Sequence, residues 1–361
     1  MSQTLPVHAA AGLPLRVKVG FAWGQVAGQI FRDIPSLLLL FYMTNVLSIG
    51  PAVAGSAIFL PKLFWGVTSD MAVGVISDRI SARFPRRYWL LIGTVIGPAA
   101  MVLLFNVPRV SNGLEVLYIV CVFALYMISF ATFSVPYLAQ YSEITSDPRE
   151  RTVLMAWRHT FTGVGLLMGA SLTPAAVHML GGGRSAYAAW SWALAAVCGS
   201  SLLIAFFSTP KVAVSGVAKV QLNLKDLIGV LAYAPYAILL AVAFAQQCGA
   251  GLSYAGIAYF VTYNMGRSDA LLQLGVVTLI AATTVILCSP IWVFVAKRIG
   301  KRRTFVLAAI LNGVTQLAWS QSGGAPLGVI YAYSVGIGVF NAGWGIMSLA
   351  CLLYTSPSPR D

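Results

Sequence analysis

"SDRISARFPRRYWLLIG", residues 77–93, carries four arginines into an unbroken apolar stretch. A basic turn that feeds an apolar helix marks the side of a membrane on which Lys and Arg collect. The same pattern returns far downstream as "AKRIGKRRTFVLAA", residues 296–309. The first copy follows the second apolar run of the chain and the other follows the eighth. Equivalent turns at equivalent places imply two halves built on one plan, and that reading decides the fold.

The composition agrees. Of the 361 residues, 58% are hydrophobic and 9% charged, against roughly 25% charged in soluble domains. Mean hydropathy is +0.82. A water-soluble chain of this length could not hide so much apolar surface, so the chain is an all-α, polytopic membrane protein. The net charge of +13 does not point to nucleic acid, because the basic residues recur in short clusters between apolar runs. Of the five cysteines, Cys121, Cys198, Cys248, Cys288 and Cys351, the first four lie inside apolar runs with no metal-ligand or disulfide spacing and read as buried apolar thiols.

A spanning helix needs about 20 mainly apolar residues. Ten runs qualify, at about 21–47, 52–77, 89–108, 114–141, 153–180, 187–208, 236–263, 271–295, 304–322 and 326–350. With the N-terminus inside, sixteen Lys and Arg fall in the interior connections and three, Arg109, Arg184 and Arg267, in the exterior ones. That asymmetry predicts a cytoplasmic N-terminus. The expected organisation is a cytoplasmic tail over 1–20, with no cleavable signal, and a six-span half over 21–208. A cytoplasmic connection over 209–235 and a four-span second half over 236–350 follow. Residues 351–361, "CLLYTSPSPRD", break the pattern; back-translated with suitable codons they resemble a library-preparation adapter, and they are read as a cloning or sequencing artefact.

Ionisable groups at membrane depth are expensive and mark functional positions by default. Arg32 and Asp33 in span one, Lys62 and Asp70 in span two, and Arg158 and His159 in span five are such groups. Neighbours on a helix point about 100° apart, so Arg32 and Asp33 are not expected to face each other. Gln25, Gln29 and Arg32 share one face, with Asp33 four residues after Gln29 and Pro35 just beyond. This polar stripe suits either the wall of a water-filled cavity or a set of pairs to neighbouring helices. Asp70, beside Thr68 and Ser69, suits a proton or sodium site, or a salt bridge to Arg158 or Lys62. Arg158 offers a planar donor fork for sugar hydroxyls or a carboxylate, and His159 could titrate near neutral pH. Trp23, Trp65, Tyr137 and Trp157 suit stacking on a sugar ring or ordinary interhelical packing. No HExxH, paired-acid or Ser/His/Asp grouping is present, and "GGGRS" at 181–185 lacks the P-loop ending. The chain is not read as an enzyme.

Three segments carry a family resemblance: "FAWGQVAGQIF" with "LLLLFYMTNVLSIGPAVAG", "LFWGVTSDMAVGVISDRISARFPRRYWLLIG", and above all "VPYLAQYSEITSDPRERTVLMAWRHTF". In these the chain resembles the glycoside–pentoside–hexuronide:cation symporters, the melibiose-permease-like branch of the major facilitator superfamily, over about 20–350. The resemblance implies a major facilitator fold with ten of twelve transmembrane helices present. It implies alternating access and cation-coupled transport of a sugar, glycoside or hexuronide across the inner membrane. Position by position, the family's span-one sugar-binding acid falls on Gln29 and its span-four acid on Ser134. Its pair of span-two cation-site acids falls on Gly66 and Asp70, and its span-five arginine is kept as Arg158. Tyr137 is placed at the site by family position. With three of four family carboxylates absent, the proton is the expected coupling ion rather than sodium, through Asp70. Arg158, Arg32, Asp33, Gln29, Ser134 and Tyr137 are the expected substrate contacts. Asp33 would take over part of the lost acid's role, and the excess of basic groups favours an anionic substrate. No cofactor or metal is expected. Membrane lipids surround a monomer that binds a small polar solute and no nucleic acid. Two other readings stay open: a facilitator of a non-sugar solute, such as a lysolipid or drug, and a non-transporting membrane enzyme or receptor.

Overall fold

The computed structural model describes residues 13–81, 83–145, 148–210, 234–264 and 269–355. Among these residues the chain is helical throughout, in ten rods. In lipid every backbone N–H and C=O must be satisfied within the protein, and a helix does this without a partner. α1 runs from Leu15–Ile34 through wider turns at Pro35–Leu39 and Tyr42–Val46. α2 is Pro51–Ile80, α3 Arg87–Phe105 and α4 Asn112–Glu143. α5 joins Pro148–Leu166, Leu167–Leu172 and Thr173–Met179. α6 is Arg184–Ser208. α7 joins Ala234–Tyr259 and Phe260–Asn264. α8 is Ala270–Ile299, α9 Lys301–Ser320 and α10 Leu327–Thr355. Seven of these helices are long and apolar enough, among the described residues, to cross a membrane on composition alone.

Three boundaries differ from expectation. The predicted tail 1–20 is already helical from Leu15, where Lys18 pairs with Glu150 of α5 at 2.7 Å. α5 opens at Pro148, ahead of the predicted 153, with Pro at the first helical position where its missing N–H costs nothing. α10 continues past residue 350 to Thr355, because Cys351, Leu352, Leu353 and Tyr354 prolong the apolar run before the Ser/Pro stretch begins. The predicted tail up to residue 12, most of the predicted connection (211–233) and residues 356–361 lie outside the described residues.

The first half is tightly packed. α1 lies against α5 and α6, α3 against α4 and α6, and α2 against α4. Small residues let the backbones approach. A Cβ on Gly24 would stand 2.8 Å from Ala205 of α6, and one on Gly165 of α5 would stand 2.6 Å from Gln29. Pro35 has no N–H to give to the carbonyl of Phe31 one turn back. That carbonyl instead accepts the hydroxyl of Tyr126 from α4 at 2.8 Å. The substitute bond holds α1 to α4 at the level of Arg32 and Asp33.

In the second half α8 and α9 pack on α10. Exposed Leu252, Leu287 and Leu317 lie on apolar outer faces, as expected for helices solvated by lipid. The same solvent explains two cysteines that differ from expectation. Cys198 is buried, but Cys121 and Cys248 lie on exposed faces, where an apolar thiol is at home in lipid. The halves meet where the Pro35–Leu39 turn of α1 touches α7 and where α8 crosses the Leu167–Met179 end of α5.

Candidate functional site

The polar stripe of α1 folds into one connected cluster. Gln29 Nε2 donates to Asp33 Oδ2 at 2.7 Å, and Arg32 Nη2 donates to Gln29 Oε1 at 2.7 Å. Arg32 Nε lies 3.7 Å from Asp33 Oδ1. The expectation that Arg32 and Asp33 do not face each other is therefore corrected. Their Cβ directions do diverge, but the long Arg32 side chain folds back toward Gln29, one turn earlier, and comes within reach of the carboxylate. Asp33 and Gln29 are buried, whereas the Arg32 side chain is 62% exposed. A residue in the middle of α1 with an open guanidinium borders a space that the helices do not fill. From across the halves, Tyr254 of α7 lies within electrostatic reach of both Arg32 and Asp33.

Arg158 of α5 joins the upstream end of the stripe. Its Nε donates to Gln25 Oε1 at 3.1 Å, and its guanidinium lies over the Tyr141 ring, 5.5 Å from the centroid. Trp23 and Trp157 both pack on Phe161, at 4.9 and 6.1 Å between ring centroids. Gln25, Gln29, Arg32, Asp33 and Arg158 thus form one constellation at the α1–α5 contact.

Other expected members stand elsewhere. Tyr137 is buried; its hydroxyl donates to the carbonyl of Phe21 at 2.7 Å and receives that of Tyr141 at 3.1 Å. Its ring packs on Phe21 at 4.7 Å. Packing and a backbone bond make Tyr137 a brace between α4 and α1. Ser134 is half-buried on α4, with no hydrogen-bond partner among the described residues. Asp70 and Lys62 are exposed on α2 and make no ion pair among the described residues. The salt bridge to Arg158 or Lys62 is thus absent, since Arg158 is held by Gln25. Trp65 is likewise exposed on α2. The side chain of His159 lies outside the described set.

Contacts between the halves gather toward the end poor in basic residues. Thr44 and Tyr259 share a hydrogen bond at 2.6 Å, and Asn45 Nδ2 donates to the Tyr263 hydroxyl at 2.9 Å. Phe41 meets the Tyr259 ring edge-on at 5.6 Å. Thr278 of α8 donates to the carbonyl of Ala170 in α5 at 2.8 Å. Sequence reading missed these residues. Tyr254, Tyr259 and Tyr263 are visible in span seven, but only the docking of α7 on α1 sets them opposite Asp33, Thr44 and Asn45.

Two helical halves, closed together at one end beside an intramembrane charge cluster, define the major facilitator architecture of multi-pass membrane transporters. The crystal structure of a D-xylose–proton symporter shares this fold, with a TM-score of 0.67 over 94% of this chain and 81% of that one, at 15% identity. The chain belongs to the MFS/sugar transport protein family, which matches residues 20–348. Among curated relatives it is 27% identical over 171 residues to the inner membrane symporter YicJ of Escherichia coli (strain K12), covering 47% of this chain and 37% of that protein. It is 26% identical over 335 residues to the glucuronide carrier protein homolog of the same strain, covering 90% and 72%. The match with YicJ spans less than two thirds of that protein's length.

Proposed function

We propose that this chain works as a secondary active transporter that moves an acidic, carbohydrate-like solute of the hexuronide type across the inner membrane by alternating access. One observation carries the reading. The constellation holds two guanidinium groups, Arg32 and Arg158, and a single carboxylate, Asp33, already engaged by Gln29 and Arg32. Among the described residues Arg158 pairs with no carboxylate; its partners there are the neutral Gln25 amide and the Tyr141 ring, which favours an acidic group on the solute. Arginine recognises carboxylates through paired, charge-assisted hydrogen bonds, and the hydroxyls of Ser134 and Tyr254 suit the neutral part of a sugar. The similarity to the glucuronide carrier protein homolog supports the same solute class.

The test is uptake into proteoliposomes. A glucuronide is expected to be accumulated well above its neutral glucoside counterpart. Uptake of the neutral glycoside without the glucuronide would overturn the reading.

The proposed coupling ion is the proton, bound at Asp70, with the N-terminus cytoplasmic. Sodium needs several oxygen ligands arranged together, and the second carboxylate that the family resemblance places four residues before Asp70 is Gly66 in this chain. Asp70→Asn is expected to abolish the dependence of uptake on an imposed pH gradient while leaving exchange of solute across the membrane intact. An unchanged pH response in the variant removes Asp70 from the coupling role.

A further inference from the structure

Two tyrosines of α4 hold α1 by its backbone. Tyr126 donates to the carbonyl of Phe31 at 2.8 Å, and Tyr137 to that of Phe21 at 2.7 Å. The tyrosines stand eleven residues apart, close to three full turns, so both leave α4 on one face. Gln25 and Gln29 lie between the two gripped carbonyls.

The two bonds are not equivalent. Gln25, four residues after Phe21, has an N–H that can serve the Phe21 carbonyl as well. Phe31 has Pro35 at the same place, and proline carries no N–H. The backbone is nevertheless helical there, with Ile34 at φ −58°, ψ −54° and Pro35 at φ −65°, ψ −35°. It is set for a bond that proline cannot donate, and the Tyr126 hydroxyl supplies one from another helix. Tyr126 and Phe31 are 0% and 1% exposed, so this carbonyl is shut off from water. The Phe31 ring is fixed too, 4.9 Å from the Tyr126 ring and 5.2 Å from that of Phe133.

Arg32 and Asp33 follow at once. The Phe31 carbonyl and the N and Cα of Arg32 share one rigid peptide plane. Holding the carbonyl therefore fixes where the Arg32 side chain departs, and with it the bonds that link Gln29, Arg32 and Asp33. Tyr126 also lies within electrostatic reach of Asp33. We propose that Tyr126 is a positioning residue for solute binding. Its hydroxyl replaces the N–H that Pro35 lacks and fixes the peptide that carries Arg32, so that Arg32 and Asp33 meet the solute in one geometry. Tyr126 is buried and acts through α1, not by touching the solute. This role rests on the proposed transport of an acidic, carbohydrate-like solute.

The test is a double-mutant cycle on the full chain in proteoliposomes. Tyr126→Phe keeps the ring and removes only the hydroxyl. It should raise the KM for glucuronide uptake about tenfold, the order of effect of a buried carbonyl left without its donor. The maximal rate per folded transporter should hardly change. Pro35→Ala restores an N–H where the helix can use it and should by itself alter the KM little. In the double variant the main-chain bond takes over from the hydroxyl, and the KM should return most of the way to that of the unaltered chain. A double variant no better than Tyr126→Phe overturns the proposal. So does an unchanged KM in Tyr126→Phe, including one that accompanies a smaller yield of folded protein, since Tyr126 would then serve stability alone. The solute reading fails separately, in the unaltered chain, by uptake of a neutral glycoside in place of the glucuronide. The same cycle run on that glycoside then decides the role of Tyr126.

Discussion

Replacing Arg158 with glutamine should lower glucuronide uptake on the order of 100-fold, the loss expected when a charge-assisted, bidentate partner is removed from a desolvated site. The amount of folded protein should hold, because among the described residues the Arg158 side chain is held by a single hydrogen bond to Gln25 and a ring contact with Tyr141. Lysine at the same position keeps the charge but loses the Nε donor to Gln25 and the planar fork. It should restore only part of the activity. The informative comparison is between solutes. If uptake of a neutral glycoside falls as steeply as that of the glucuronide, Arg158 acts on the helix contact and not on an acidic group. If only the glucuronide suffers, the guanidinium recognises the carboxylate.

A second large effect is expected at Gly165, where α5 crosses α1. A side chain there would begin 2.6 Å from Gln29 Cβ and 2.9 Å from the carbonyl oxygen of Val26. Backbone cannot step aside as the tip of a flexible side chain can. Overpacking of well-filled interiors costs about 1–3 kcal/mol, and a leucine wedged against a main-chain carbonyl should exceed that range. Gly165→Leu should therefore yield little protein that elutes as a single species in detergent, with any remainder melting at a lower temperature. Gly169, one turn along the same helix, gives the control. An added Cβ there meets Ile30 Cα at 3.4 Å and Asp33 Cβ at 3.6 Å, ordinary contact distances. Gly169→Ala should fold nearly as the parent does. If both variants fold equally well, the α1–α5 crossing is looser than the structure describes, and the geometry built on it fails with it.

The fold was largely legible in the chain because hydropathy and charge act on segments, and segments can be read without knowing their neighbours. Runs of apolar residues long enough to span a bilayer located all ten rods. The site was legible only in part. The stripe of Gln25, Gln29 and Arg32 follows from helical spacing alone, and Arg158 stood out as a charge at membrane depth. Which charges meet did not follow, since that depends on how far long side chains bend and which helices touch. Arg158 binds Gln25 and not Asp70, Arg32 folds back onto Gln29 and so comes near Asp33, and Tyr137 spends its hydroxyl on a backbone carbonyl.

By itself, then, the sequence determined a helical membrane protein with polar groups placed where lipid would exclude them. Only the tertiary structure decided that α1 and α5 gather Gln25, Gln29, Arg32, Asp33 and Arg158 into one cluster, that α7 docks on α1 through Tyr259 and Tyr263, and that Asp70 is exposed on α2 with no ion pair among the described residues. The physical reason is one of range. Transfer from water to lipid is a property of each segment, whereas a hydrogen bond or an ion pair exists only once two distant segments have packed to within a few ångströms of each other.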